Sequence, residues 1–397
     1  MTETADYDKS ATPGAHKTSH QDGGADEINV TGLNGALADN QTSSWDLVSG
    51  KPTSFAPSGH HAAHEPGGSD ALITYGTKTT AALNKTIGAT GDYATFAAAR
   101  AALPDLFAHP VILTLQTGTV LDEVCTLANK HGISTSAYLR IAAERYYPTT
   151  GTIPTADSAT ATTLRDAALA TAALGNDYFN NCWVFIVAGT GTDNGFVPIT
   201  DYVDATGDIV VDSWPGTQPD ATSRYMIAGA LIDGGGIRNY GIYTHHCTTA
   251  MYLYGIGIKD SLLYNVWVDY NTTFAQLYCG IYNSGRAGMY LRGITTLNIS
   301  YNGIVKCNTN SFTNHAGIYA LAVQFGYGVY NALSENNLNG YHVSNGGYSS
   351  MYGCFGINNG LWGVYASDGS IAHVYGVECS GASGKHSNGV GDGSLAY

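Results

Sequence analysis

The sequence predicts a mostly β protein whose body is a right-handed parallel β-helix, a solenoid of stacked coils, with an extended N-terminal stalk and a small inserted β module. Three observations carry this prediction. The C-terminal part repeats a small–apolar–Tyr pattern, Asn-Gly pairs punctuate the repeat, and residues 1–75 lack the apolar periodicity of a segment that buries its own core. The predicted organisation is a stalk at 1–75, a linker at 76–90, a capping helix and first coils at 91–151, the inserted module at 152–230, and further coils at 231–397.

The stalk contains one motif twice in the same register, two histidines followed by Gly-Gly and an aspartate. The first copy reads H-x3-H-x2-G-G-x-D from His16 and His20, and the second has the same spacing from His60 and His64. Because neither copy can form a core, partner chains or a docking surface must structure the segment. Histidines of three chains around one axis would offer six nitrogens, which suits an octahedral transition metal. The four histidines are candidate metal ligands on a trimer axis, unless they cap turns and stack between chains without an ion, and no other cofactor is expected.

Residues 91–151 begin with the pattern of a short helix. Phe96, Ala99, Ala102 and Leu103 have helical spacing, and Asp92 is the predicted N-cap. Strands are predicted at 111–115 and 139–145. A helix in front of the first coil would cover the open end of the solenoid and hide its unpaired strand edges.

Residues 152–230 interrupt the solenoid pattern. A helix is predicted at 161–170, and strands are predicted at 182–187 and 207–211. This mixture predicts a small β module carried on the side of the body or between coils.

The repeat of the last range combines a small residue, an apolar residue and a tyrosine. Its glycines are Gly241, Gly280, Gly288, Gly317, Gly328 and Gly363, and Asn-Gly pairs occur at Asn302, Asn339 and Asn359. Short alternating strands turned by Asn and Gly in left-handed conformations are what a solenoid needs, at roughly 20–30 residues per coil.

Aromatic residues give the strongest functional indication. The chain has 28 tyrosines, and they crowd the early coils. Tyr and Trp rings match both sugar rings and protein partners, because each has a rigid apolar face and a polar tip. The alternative is that the rings pack between three chains. Candidate ligand-binding residues are Tyr243, Tyr252, Tyr254, Trp267, Tyr282 and Tyr290.

Composition excludes several functional classes. A net charge of −14 with only 17 basic residues argues against nucleic-acid binding, which needs clustered Lys and Arg. No apolar run approaches the length of a membrane span, and the N-terminus has no secretory signal, so synthesis in a cytoplasm without membrane insertion is expected. The seven scattered cysteines are expected to be free, buried small residues.

Two stretches of the stalk carry a resemblance to a known family. Residues 14–28, with the first motif, and residues 45–55, W-D-L-V-S-G-K-P-T-S-F, leading into the second motif, resemble the N-terminal region of tailed-phage tail fibres. The G-D-Y-x-T helix at Gly91, followed by a strand, resembles the entry to pectin-lyase-like β-helices. The resemblance implies a homotrimeric fibre or spike of the virion tail that attaches through residues 1–75 to another tail or baseplate protein. Its body would contact a host surface glycan or protein.

Three functions remain open at this point. The first is a non-enzymatic virion fibre that binds a receptor, which the scarcity of clustered acids favours. The second is a tailspike depolymerase, a polysaccharide hydrolase or lyase, for which Asp368 and Glu378 on a shared face are the candidate catalytic carboxylates. The competing interpretation of these acids is that they are scattered solvated turn residues. The third function is a bacterial surface or filament protein.

Overall fold

The computed structural model describes residues 78–397, apart from residues 272, 308–315, 324–327, 331–332, 336, 338, 353, 376–377, 382–383, 389–394 and 397. The predicted stalk and its candidate metal ligands His16, His20, His60 and His64 lie outside the described residues.

The first part of the body consists of short strands and one helix. In chain order these are β1 (Leu83–Ile87), α1 (Phe96–Ala102), β2 (Leu106–Phe107), β3 (Val111–Leu115), β4 (Thr119–Leu121), β5 (Cys125–Ala128), β6 (His131–Gly132) and β7 (Tyr138–Ala143). The strand β1 lies within 76–90, where a linker was expected. It pairs in parallel with β3 and places Ile87 in the core. The strand is hard to recognise in the sequence because only one of its faces is buried and the other face carries polar residues.

The helix α1 packs on the first coils but begins later than predicted. Phe96 and Ala99 are buried in the solenoid core. The N-cap is Thr95, whose hydroxyl accepts a hydrogen bond of 3.1 Å from the backbone N–H of the third helical residue. The predicted cap, Asp92, instead accepts from the N–H of Thr86 at 2.8 Å, so it ties the preceding loop to β1.

An antiparallel module follows β7. Its elements are β8 (Ser158–Ala159), β9 (Thr163–Arg165), α2 (Ala167–Thr171), β10 (Trp183–Ala188), a 3-10 turn (Thr192–Asn194), β11 (Phe196–Pro198), β12 (Asp201–Val203), β13 (Asp208–Val210) and β14 (Arg224–Ala228). They form two sheets, in the orders β12-β13-β9-β8 and β11-β10-β14. The helix predicted at 161–170 is wrong in its first half, which is the strand β9. Asp166 separates the two elements, because its side chain caps α2 by accepting from the N–H of Ala168 at 2.8 Å.

The rest of the body is built of strands alone among the described residues. They are β15 (Ala230–Asp233), β16 (Tyr240–His245), β17 (Ala250–Tyr254), β18 (Ile256–Ser261), β19 (Tyr264–Asp269), β20 (Thr273–Leu277), β21 (Gly280–Ser284), β22 (Met289–Arg292), β23 (Thr296–Ser300), β24 (Gly303–Cys307), β25 (Ile318–Leu321), β26 (Gly328–Tyr330), β27 (Leu333–Glu335), β28 (Tyr341–Ser344), β29 (Tyr348–Tyr352), β30 (Phe355–Asn359), β31 (Trp362–Ala366), β32 (Ile371–Tyr375), β33 (Glu378–Gly381), β34 (Gly384–Asn388) and β35 (Leu395–Ala396).

Three parallel sheets run the length of the body. Sheet 1 has the order β1-β3-β7-β17-β20-β23-β26-β29-β32-β35, sheet 2 the order β4-β15-β18-β21-β24-β27-β30-β33, and sheet 3 the order β5-β16-β19-β22-β25-β28-β31-β34. A complete coil contributes one strand to each sheet, and the repeat is 23 residues between partners such as Phe274 and Leu297. The β-solenoid is thereby confirmed, and strand twist makes its right-handed sense the expected one. The antiparallel module connects β7 of sheet 1 to β15 of sheet 2, so it is inserted between two sides of a single coil.

The turns at the corners of the coils differ in conformation from the predicted Asn-Gly turn. Tyr301 has a φ of 56°, and Asn302, the next residue, is fully buried. Asn302 Oδ1 accepts from the N–H of Cys279 at 2.8 Å, and its Nδ2 donates to the carbonyl of Gln276 at 2.7 Å. The left-handed conformation thus belongs to the residue before the asparagine, because the amide must face inward to satisfy backbone groups of the previous coil. A left-handed residue precedes a buried Asn or Cys in the same way at His246 before Cys247, Tyr270 before Asn271, Tyr278 before Cys279, Lys306 before Cys307 and Asn358 before Asn359.

The same corner arrangement accounts for three of the scattered cysteines. All six cysteines in the described part of the chain are free and buried, as predicted. Cys247, Cys279 and Cys307 each begin a corner column by donating their backbone N–H to an asparagine of the following coil. A small, weakly polar side chain fills the corner without requiring a partner of its own.

The module packs on sheet 2 through a track of glycines. Gly257, Gly280 and Gly303 lie opposite one another in β18, β21 and β24. A Cβ atom on Gly280 would lie 2.7 Å from Cδ1 of Phe185 in the module, and one on Gly303 would overlap Val187. Gly280 belongs to the small–apolar–Tyr repeat, so at this position the repeat needs glycine for close approach of the module.

Candidate functional site

A column of aromatic side chains runs along sheet 3 from coil to coil, and we call it the aromatic ladder. Strand register places its members opposite one another in six successive strands: Tyr243, Trp267, Tyr290, Tyr319, His342 and Tyr365. Adjacent ring centroids are 5.3, 5.3, 5.4, 4.5 and 4.6 Å apart. Neighbouring strands lie about 4.8 Å apart, so the backbone itself sets this spacing.

Strand alternation turns the ladder residues outward. Val266 and Val268 flank Trp267 in β19, and both are fully buried in the solenoid core. Successive side chains of a strand point to opposite faces, which directs the ring between two inward residues to the surface. Trp267 and Tyr290 are half-buried, because each ring leans on its neighbours in the ladder. His342 is only 2% exposed and forms a contact of 2.9 Å between its Nε2 and the Ser367 hydroxyl.

Two further tyrosines widen the ladder at the edge where the strands begin. The Tyr240 ring lies 4.9 Å from the Trp267 ring, and the Tyr264 ring lies 5.0 Å from the Tyr290 ring. Tyr240 is half-buried and Tyr264 is only 4% exposed, so of these two rings only that of Tyr240 extends the exposed face.

The opposite edge of the ladder carries an ion pair. Arg292 donates from Nε to Asp269 Oδ1 at 2.6 Å and from Nη2 to Oδ2 at 2.5 Å. This bidentate pair raises the pKa of Arg292, and its guanidinium also lies 4.9 Å from the centre of the Tyr270 ring. Asp269 is engaged by this pair and 5% exposed, so its role here is to fix the arginine at the edge of the ladder.

Two hydroxyl groups of the ladder, those of Tyr290 and Tyr319, are neutral at physiological pH. Burial raises the pKa of Tyr290 and of Tyr319 above the ordinary value of a tyrosine. Each hydroxyl can therefore donate and accept a hydrogen bond beside an apolar ring face. A continuous strip of this kind can hold an elongated ligand with apolar faces and polar edges.

The six candidate ligand-binding residues fall on three different sheets. Tyr243, Trp267 and Tyr290 belong to the ladder on sheet 3. Tyr252 and Tyr254 face outward from sheet 1. Tyr282, on sheet 2, lies against the module, where its hydroxyl donates to the carbonyl of Asp193 at 3.2 Å. The structure therefore brings three of the six together.

The candidate catalytic pair does not share a face. Asp368 follows β31 of sheet 3, and its carboxylate accepts from the hydroxyls of Ser344 at 2.5 Å and Ser367 at 3.1 Å. The backbone of Glu378 begins β33 of sheet 2. The sheet 1 strand β32 separates the two positions, so the expectation of a shared face is wrong. Sequence proximity misled the prediction because about ten residues carry the chain around one corner and across a whole side of the coil.

Two other carboxylates of adjacent coils do meet, at a lysine. Lys259 Nζ lies 2.8 Å from Asp233 Oδ2 and 2.8 Å from Asp260 Oδ2. The two carboxylates therefore share one ammonium group. Across the part of the chain that the structure describes, every carboxyl group with a shifted pKa has a lowered one: Asp92, Glu144, Asp193, Asp208 and Asp220.

Sequence reasoning missed half of the ladder. Tyr319 and Tyr365 end copies of the small–apolar–Tyr repeat, so the repeat itself could have found them. His342 occupies the same position with a different residue type, and only the strand register identifies it.

The described residues contain no group of three or more His, Cys, Asp or Glu side chains placed to hold a metal ion. In the same part of the chain, no helix is long and apolar enough to cross a membrane.

Comparisons with known proteins gave matches to solved structures alone. No family model matches the chain, and no curated protein matches it. The full-length tailspike protein 2 of the Escherichia coli O157:H7 bacteriophage CAB120 is similar over 68% of this chain and 31% of that chain, with 11% identity and a TM-score of 0.31. The tailspike of the Pseudomonas phage phi297 is similar over 72% of this chain and 56% of that chain, with 11% identity and a TM-score of 0.21.

A third similar structure was solved with a saccharide. The tailspike of the Acinetobacter baumannii bacteriophage AP22, in complex with A. baumannii capsular saccharide, is similar over 72% of this chain and 71% of that chain, with 8% identity and a TM-score of 0.19. The match to the CAB120 tailspike spans about a third of that protein's length. The three solved structures named here are phage tailspikes.

Proposed function

We propose that the chain is a structural component of a phage tail, a fibre or spike whose β-solenoid body contacts a saccharide on the host surface through the aromatic ladder. The observation that carries the proposal is the ladder itself, six rings in register on one side of the body, all but His342 partly exposed. The resemblance of residues 14–28 and 45–55 to tail-fibre N-termini supports the location in the virion tail.

A saccharide chain fits the ladder better than a globular protein does. Sugar rings have apolar C–H faces that pack on aromatic rings and hydroxyl edges that bond to tyrosine tips. The strip is narrow, and its repeat is close to the length of one sugar residue in an extended polysaccharide. Successive sugar residues would then contact successive rings of the ladder along the solenoid axis.

The proposal includes an assembly that precedes binding. Residues 1–75 attach the fibre to another tail or baseplate protein, and the fibre is a homotrimer, because a segment without its own core is structured by partner chains. Sedimentation of the full chain tests the trimer, and a stable monomer at micromolar concentration contradicts it. Deleting residues 1–75 should leave a folded body that no longer joins virions.

The four stalk histidines are proposed to hold a transition metal on the trimer axis. Chelation should then lower the melting temperature of the stalk, because a bound ion stabilises the folded state by mass action. Replacement of His16, His20, His60 and His64 by Ala should abolish this effect of the chelator. An unchanged melting temperature after chelation of the full chain would leave the histidines as turn and stacking residues.

Binding to purified host capsule or lipopolysaccharide tests the ladder. Trp267→Ala removes a central ring and should weaken binding at least tenfold, about 1.4 kcal/mol. The matched control is Trp183→Ala, which removes a half-buried indole ring from β10 of the module, outside the ladder. Equal losses in the two variants, or none in Trp267→Ala, would contradict binding at the ladder.

The same experiment separates the binding function from depolymerisation. Release of oligosaccharide from the purified polysaccharide would identify an enzyme, and Asp233→Asn and Asp260→Asn would then test the carboxylates at Lys259. Detection of the chain on bacterial cells that carry no phage, rather than on virions, would favour a bacterial surface protein.

A further inference from the structure

A second cationic feature lies on sheet 1, away from the ladder, and centres on Arg140. Arg140 is an outward residue of β7 and lies opposite Tyr252 of β17. Its Cζ lies 4.6 Å from the centre of the Tyr254 ring. Tyr138 stands beside it on the same strand, with its ring perpendicular to that of Tyr252 at a centroid distance of 5.7 Å. Three tyrosine rings therefore frame one guanidinium.

Arg140 differs from the three ion-paired arginines of the described residues in having no carboxylate partner. Arg165, Arg238 and Arg292 pair with Asp208, Asp122 and Asp269 respectively. Arg140 forms no ion pair with any residue that the structure describes, and its Nε is buried without a hydrogen-bond partner. A half-buried guanidinium without an anion leaves a partly desolvated positive charge uncompensated among the described residues.

The surroundings of Arg140 supply no anion of their own. Its outward neighbours across the strands are Ile112 on one side and Tyr252 on the other. Beyond Tyr252 the same column continues with Ala275 and Asn298, which carry no charge. The anion that would satisfy Arg140 must therefore come from outside this column.

A fourth tyrosine, Tyr146, completes the frame around Arg140. Tyr146 closes it on the module side, and its ring occupies the space above Gly255, whose φ is +64° and whose missing side chain makes room for the ring. Burial raises the pKa of Tyr146 and that of Tyr254, so both hydroxyls stay neutral. A positive charge at the base and neutral aromatic walls define a site for a ligand with one carboxylate and an apolar face.

We propose that Arg140, with Tyr138, Tyr252 and Tyr254, binds the carboxylate of an acidic sugar, such as a uronic acid residue of a saccharide. The guanidinium forms the planar, bidentate contact that carboxylates accept, and the sugar ring packs against the tyrosine faces. A carboxylate of a second copy of this chain could pair with the guanidinium, but it would bring no ring to pack against the tyrosine faces. The site is distinct from the ladder, so it goes beyond the proposed function and can stand if that function fails.

Ligand-observed NMR of the full chain with D-glucuronate, and with D-glucose as the neutral probe, tests the proposal. Saturation transfer to glucuronate and not to glucose is expected at millimolar ligand. Arg140→Gln should weaken glucuronate binding at least tenfold, and Arg140→Lys should restore part of it. The matched control, Arg238→Gln, removes an ion-paired arginine and should leave glucuronate binding unchanged.

Each other outcome overturns the proposal. Equal transfer to both sugars, or none to glucuronate, would show that the site does not select a carboxylate. A change in sedimentation of Arg140→Gln, with glucuronate binding unaffected, would assign Arg140 to contact with a second copy. If Arg140→Gln does not fold, Tyr252→Phe and Tyr138→Ala provide the comparison, since loss of a wall should weaken glucuronate binding and loss of the Tyr252 hydroxyl alone should not.

Discussion

Gln276 should be replaceable by leucine with a gain in stability. Its side chain is fully buried in β20, and both amide atoms, Nε2 and Oε1, lack a hydrogen-bond partner among the described residues. The inward column around it is otherwise apolar, with Leu253 on the preceding coil and Ile299 on the following one. Each unpaired buried polar group costs about 1–3 kcal/mol, and leucine is similar in volume. We therefore expect Gln276→Leu to raise the free energy of unfolding by about 2–4 kcal/mol.

Urea-induced unfolding, followed by circular dichroism, measures this difference. If unfolding is irreversible, the unfolding rate at fixed urea replaces the equilibrium value, and the variant should unfold more slowly. The exposed Gln218 gives the matched control, and Gln218→Leu should stay within about 0.5 kcal/mol of the parent. A lower stability of Gln276→Leu would refute the reasoning, because it would mean that the buried amide is satisfied in solution, for instance by an internal water.

Three further predictions concern the module, the charges and the thiols. Gly280→Val should cost about 1–3 kcal/mol and expose the module to limited proteolysis, because the new side chain would overlap Phe185. The hydrogen bonds from Arg165 lower the pKa of Asp208. The pair therefore stabilises the fold above the unfolded-state pKa of about 3.9, and this stabilisation is lost as the pH falls through the folded-state pKa. Parallel stability profiles of Asp208→Asn and the parent between neutral and acidic pH would contradict this prediction. Burial raises the pKa of Cys307 to about 12, so iodoacetamide should label it only after unfolding, and mass spectrometry showing labelling of the native chain would refute that burial.

The sequence was sufficient to predict the solenoid because a coil imposes a pattern at every turn. Inward residues such as Val266 and Val268 must be apolar, and their outward neighbour is then visible as the tyrosine or tryptophan of the repeat. The strand β1 escaped prediction because only Ile87 among its residues is fully buried. Local composition describes one face of an element well and the other face poorly.

The site was harder to predict than the fold because it is a property of register. Trp267 and Tyr319 are far apart in sequence, yet strand register places them in the same column. The loops that separate their strands differ in length, so distance along the sequence does not reveal this. The grouping of Tyr252 and Tyr282 with Trp267 was reasonable by sequence distance, yet the coil geometry assigns the three residues to three sheets. Arg140 gave no signal at all, since the absence of a carboxylate partner becomes visible only when all outward neighbours are known.

The corner columns of asparagine and cysteine fix the spacing between successive coils of the body. Each inward amide ties one coil to the previous one at a fixed rise, as Asn302 does for Cys279 and Asn337 for Cys307. Insertion of a whole coil would therefore lengthen the aromatic strip by one step and leave every local contact elsewhere unchanged, because a solenoid interacts only with its nearest repeats. Duplication of a 23-residue segment is a single genetic event of this kind. The length of this surface can then change in whole steps of one coil while the shape of each step is preserved.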